Sequence, residues 1–158
     1  MRFVNRIADY VSSAKLSLAG DLKGLKFAMI GDSYVRGNNI AMSATSFNIA
    51  AIDNGMTYAN YGLNGNTVAS FEGWTTAPMS ERYENLSDVY DIIGFEGGRN
   101  DFNRNIPIGS DSDDTNTTFK GALNILCKGL IKKYIGKKIF GMPCWALNTN
   151  ENSVGEKL

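Results

Sequence analysis

The chain has 158 residues, 43% of them apolar, with 16 basic residues balanced by 16 acidic ones. That length suits one domain with a real buried core. A formal net charge of zero offers no field of one sign to hold a phosphate backbone or an anionic lipid surface, so neither nucleic acid nor a membrane is expected as a partner.

Residues 1–21 begin with Arg2 and Arg6, as a secretory signal would, but Asp9, Ser12, Ser13, Lys15 and Ser17 interrupt the apolar residues. The segment reads instead as an amphipathic lead-in helix ahead of a domain over 22–158. It is either a connection from an upstream domain or a partner-docking arm. No stretch approaches the ~18 apolar residues of a membrane span. No compartment is indicated.

Lys26 to Ile30 is a short apolar run that predicts a buried strand, followed by a turn at Gly31-Asp32-Ser33. Ile40, Ala44, Phe47 and Ala51 recur at helical spacing and predict a helix over 37–53, stopped by Asn54-Gly55. Met56 to Tyr61 reads as a second strand. Pro78 to Leu86 reads as a short helix, with proline suited to its first turn. Tyr90 to Phe95 reads as a third strand and is followed by a polar loop that includes Asp111, Asp113 and Asp114. Thr117 or Thr118 then caps a helix whose apolar face carries Phe119, Ala122, Leu123, Leu126, Leu130, Ile131 and Tyr134, ending at Gly136. Lys138 opens a fourth strand running to about Trp145, and beyond Leu147 the chain is polar and unpatterned.

Strands separated by helices predict a three-layer α/β/α arrangement, a flavodoxin-like parallel sheet covered on both faces. Ligands bind such sheets beyond the carboxyl ends of the strands. Asp32-Ser33, Asn64-Gly65-Asn66 and Asn100-Asp101 each follow a predicted strand, so three polar motifs converge on one rim. Cys127 and Cys144 form no metal pattern and read as buried free thiols, with a disulfide left open. The acidic loop lacks the glycine and terminal glutamate of an EF-hand, so no metal is expected. Residues Gly31 to Gly37 lack the Gly-Lys-Ser/Thr ending of a phosphate loop.

Gly31-Asp32-Ser33-Tyr34 alone is a weak signal, because small polar residues favour such turns. Asn60-Tyr61-Gly62-Leu63-Asn64-Gly65-Asn66-Thr67 and Gly98-Arg99-Asn100-Asp101 follow it in order, each at a strand end. Over roughly residues 22–147 this series resembles the SGNH (GDSL-type) serine hydrolases, a family of esterases, lipases and carbohydrate deacetylases.

The resemblance implies Ser33 as nucleophile, Gly65 as a backbone donor to the oxyanion, and Asn100 as its side-chain donor. Gly62 is the competing match for the glycine. Asp32 and Tyr34 flank the nucleophile and are candidates for substrate binding, Asp32 also bracing the turn, and Arg99 fills the variable third-block position, where it meets an acidic substrate group or stays a solvated rim residue. Asp101 reads as a structural acceptor. Trp74, Tyr34 and Trp145 are rim candidates for stacking on a sugar. The substrate implied is a small-molecule or glycan ester, with no cofactor.

The family's closing Asp-x-x-His block is absent, and the chain contains no histidine at all. That imidazole would take the serine proton. The expectation is a chain truncated at its C-terminus, with the acid and base supplied by a missing segment or a second chain. The alternative is a descendant that binds an acylated glycan or a carboxylate without catalysis.

Overall fold

A computed structural model describes residues 22–143. The expected lead-in helix over 1–21, Cys144, Trp145 and the polar tail lie outside the described residues. Four strands, β1 (Lys26–Gly31), β2 (Thr57–Gly62), β3 (Ile92–Gly97) and β4 (Lys138–Pro143), form one parallel sheet in the order β2-β1-β3-β4. The two strands that end in the first and third motifs are therefore neighbours: Gly31 pairs with Gly62 on one side and with Glu96 on the other.

The helices are α1 (Ser33–Arg36), α2 (Ser46–Asp53), α3 (Met79–Arg82), α4 (Arg99–Asn103) and α5 (Phe119–Lys133). The single helix expected over 37–53 is corrected. Gly37 ends α1 in a left-handed conformation at φ 87°, Asn39 follows at φ 60°, and only after a 3-10 turn at Met42–Ala44 does α2 begin. Its apolar spacing misled because Ile40 and Ala44 are exposed and only Ala51 of that set is buried. The stop at Asn54-Gly55 holds, with Gly55 at φ 68°.

Pro78 caps α3 rather than entering its first turn, and a 3-10 turn at Tyr83–Asn85 continues it. The sequence read a loop after β3, whereas α4 forms there and carries Asn100 and Asp101. Thr118 caps α5, its hydroxyl accepting from the Gly121 N–H at 3.2 Å. Ala122, Leu126 and Leu130 turn inward on Ile30, Ile93, Phe95 and Met79, whereas Ile131 is 62% exposed and leaves the expected face. On the opposite side a smaller cluster of Phe27, Met29, Val35 and Ala51 packs beneath α1 and α2. Burial of these side chains on both faces of β1 is what anchors its carboxyl end (roughly 1.5–3 kcal/mol for each large apolar side chain).

Candidate functional site

Ser33 opens α1 directly beyond β1. Asp32 caps it: its carboxylate accepts the Tyr34 N–H at 2.8 Å. A helix of four residues has little dipole to offer, so local groups must set the chemistry at this turn. Ser33 is partly exposed and lines an open cavity of about 460 Å³, together with Tyr34, Gly37, Asn38, Ile40, Thr45, Ser46 and Arg99. Its hydroxyl has no hydrogen-bond partner among the described residues.

The structure ties the three strand-end motifs together. Asn100, on α4, donates its side-chain amide to the Asp32 carboxylate at 3.0 Å and to the Asn66 carbonyl at 3.0 Å. Asn66 is fully buried and accepts from the Arg82 guanidinium at 2.7 Å, while its own amide donates to the Ala77 carbonyl. Arg82 also donates to the Tyr61 carbonyl at 2.7 Å, and its burial lowers its pKa. Asp101 is buried and accepts the Val68 and Ala69 N–H groups, as a structural acceptor would.

Of the two candidate glycines, Gly62 lies in β2 with its N–H donated to Asn60 Oδ1 at 2.9 Å. Gly65 stands in the following turn at φ 73°, where a side chain is strained. Its N–H has no acceptor among the described residues. Its carbonyl accepts from Arg104 at 2.7 Å, and that guanidinium lies 4.8 Å from the Phe71 ring and 4.6 Å from the Trp74 ring. Trp74 is 40% exposed beside this turn.

Tyr34 is 47% exposed, and its hydroxyl accepts from Arg99 at 2.6 Å. Glu96, near the end of β3, is not among the site residues expected from the sequence. It is fully buried, and its carboxyl is one of the groups that bear on the pKa of Asp32. Burial raises the pKa of the Asp32 carboxyl above the ordinary aspartate value, against the Tyr34 N–H, Glu96 and the charge of Arg99. A charged residue closing the apolar run Ile92-Ile93-Gly94-Phe95 was the signal for it. Among the described residues no cluster of ligands fits a metal ion, and no helix is long and apolar enough to cross a membrane.

No protein-family model and no curated protein matches the chain. Solved structures do. A protein from Lactobacillus plantarum is 26% identical, with a TM-score of 0.75 over 85% of this chain and 67% of its own. A protein described as a GDSL-like lipase from Bacteroides ovatus is 19% identical, at TM-score 0.66 over 80% of this chain and 75% of its own. The fold is that of the SGNH hydrolases. A family two carbohydrate esterase from Clostridium thermocellum, solved with cellohexaose, shares this SGNH fold at 19% identity and TM-score 0.59, over 80% of this chain and 46% of its own. In the SGNH fold of this chain, Asp32, beside Ser33, and Asn100 meet at the carboxyl edge of the sheet, with Gly65 in the turn that follows the neighbouring strand β2.

Proposed function

We propose that this domain acts on ester bonds of a small or carbohydrate ester, with Ser33 as the acyl acceptor. The observation that carries the reading is the Asn100 amide bridging Asp32 and the Asn66 carbonyl, which draws all three motifs around one exposed serine. In the reaction, Ser33 Oγ attacks the carbonyl carbon and gives its proton to water, or to imidazole when that is added. The tetrahedral oxyanion collapses, the ester C–O bond breaks, and the alcohol leaves with a proton. Water then attacks the acyl-serine and releases the acid. The Gly65 N–H, which has no acceptor among the described residues, suits the oxyanion. Asn100 joins it by exchanging one internal acceptor for the substrate oxygen. Trp74, exposed beside Gly65, suits a sugar ring in the leaving group.

No histidine in the sequence can remove the serine proton. Loss of the base from a serine triad costs on the order of 10⁶ in turnover, leaving roughly 10³–10⁴ over water from the rest of the site. The chain by itself is therefore a poor esterase. The test is p-nitrophenyl acetate hydrolysis with and without added imidazole, compared with Ser33→Ala, and intact-mass detection of acyl-Ser33. Slow, imidazole-enhanced and Ser33-dependent acylation is expected. Rates identical to those of Ser33→Ala under both conditions would sink the reading. The missing base also favours a second reading, in which the same pocket binds an acylated glycan or carboxylate without turning it over. Saturable binding to acetylated oligosaccharides with no acid released would select it.

A further inference from the structure

The cavity at Ser33 is electrically lopsided. Of its eight lining residues, Arg99 is the only charged one, and none is acidic. Arg99 makes no ion pair with any described residue. Other arrangements in the same fold differ: Lys120, Lys133 and Lys137 each pair with an aspartate, and the cavity beside Arg104 includes Glu72.

Arg99 is also held in place. Its Nη1 donates to the Tyr34 hydroxyl at 2.6 Å, and its guanidinium carbon lies 5.5 Å from the centre of the same ring. Tyr34 follows Ser33 directly, and Arg99 precedes Asn100, so the cation is fixed to both motifs through the backbone. Among the described residues, one Nη1 bond to Tyr34 is the hydrogen bond the guanidinium makes, and the rest of its fork is directed at none of them. A planar fork held by an aromatic hydroxyl is preorganised for bidentate contact with a carboxylate. Asp32, the acid whose charge it feels, is fully buried and forms no ion pair with it, so among the described residues no acid meets the guanidinium from the cavity.

We propose that the Ser33 cavity selects an anionic ester, one whose acyl or alcohol part carries a carboxylate that Arg99 receives. This rests on the reading of Ser33 as the acyl acceptor, and it names the class of substrate for that site. The uncharged remainder of the wall, including Asn38 and Ser46, offers amide and hydroxyl groups rather than an apolar slot for a long chain.

The experiment measures equilibrium binding of monomethyl succinate and of its neutral isostere, methyl 4-amino-4-oxobutanoate, by NMR titration of the full chain. Acylation of Ser33 by mono-p-nitrophenyl succinate and by p-nitrophenyl 4-amino-4-oxobutanoate, which carry the same carboxylate and the same amide, is followed in parallel. The carboxylate is expected to bind on the order of tenfold more tightly, as a charge-assisted bidentate contact allows. Raising salt to about 0.5 M should shrink the difference, since this cation faces solvent. Arg99→Gln should bring the two ligands to within about twofold, whereas Arg36→Gln, on the exposed last residue of α1, should keep the preference. Equal binding of the two ligands by the native chain would overturn the inference, as would a preference that survives Arg99→Gln. Failure of both esters to acylate Ser33 would count against the hydrolase reading alone, because the binding comparison does not depend on chemistry.

Discussion

Asn100 donates its side-chain amide to the Asp32 carboxylate at 3.0 Å, joining the end of β3 to the end of β1 across 68 residues of sequence. The second amide proton goes to the Asn66 carbonyl, so one side chain closes a ring of three loops. In this state both protons have internal acceptors. The brace for the Ser33 turn and the proposed oxyanion donor are then the same amide, and a substrate oxygen must replace one of its two partners.

Asn100→Ala should therefore cost stability as well as any Ser33 chemistry. It leaves the Asp32 carboxylate and the Asn66 carbonyl each short of a donor in a buried setting, a loss of about 1–3 kcal/mol. Urea unfolding would read this directly. Asn100→Asp should be worse at neutral pH, because it sets a third carboxyl beside Asp32 and Glu96, and it should recover on acidification. A native unfolding midpoint in Asn100→Ala would show that the brace is dispensable.

Gly62 and Gly65 separate on space. A Cβ on Gly62 would fall on the Arg36 amide nitrogen and lie 2.7 Å from Arg36 Cα, and backbone cannot step aside. Gly62→Ala should destabilise by roughly 4 kcal/mol or more and prevent close packing of α1 on β2. A Cβ on Gly65 meets nothing closer than Arg104 Nη2 at 3.3 Å, so Gly65→Ala carries mainly the left-handed strain, about 1–2 kcal/mol. Gly65→Ala should thus fold while changing acylation at Ser33, and thermal melts beside mass spectrometry would show it. A Gly62→Ala protein as stable as Gly65→Ala would contradict the packing argument.

The alternation of short apolar runs with helical spacing was enough to read the parallel sheet, and the order of the three motifs was enough to place Ser33, Gly65 and Asn100 on one edge. Two kinds of feature escaped. The helix expected over 37–53 failed because Ile40 and Ala44 keep the period without being buried, while Gly37 and Asn39 break the backbone in left-handed conformations. Arg82, Arg104 and Glu96 were passed over because their partners, Asn66, the Gly65 carbonyl and Asp32, are distant in sequence. Pairing across loops leaves no periodic trace.

Tyr58 offers a test of packing away from the site. Its hydroxyl is buried on β2 with no hydrogen-bond partner among the described residues, and burial pushes the phenol far above its ordinary pKa. The ring packs against Phe27 with centroids 5.3 Å apart. Tyr58→Phe keeps that contact and removes the orphaned oxygen, so it should raise stability by about 1 kcal/mol. A lower melting temperature would mean that the hydroxyl has a role in the fold.

The buried carboxyls give the fold an unusual pH dependence. Burial raises the pKa of Asp32 and of Asp101 above the ordinary aspartate value, so between that value and the raised one the native state holds more protons than the unfolded chain. Stability from these groups is then fully present below the ordinary aspartate range and is lost as pH rises through their native values. Asp91 and Asp113 act in the opposite sense. The Lys137 ammonium and Lys26 N–H lower the pKa of Asp91, and Ser110 and Thr118 lower that of Asp113, so their contributions hold above the ordinary range and fade only as pH falls through the lowered values. Both are exposed, so the buried pair should dominate above the aspartate range. The unfolding midpoint should peak at mildly acidic pH and decline toward neutral. Glu96→Gln replaces a buried carboxyl that bears on Asp32 with a neutral amide, so the decline should flatten. A midpoint that rises steadily from acidic to neutral pH in the native chain would show that these carboxyls are already ionised in the fold.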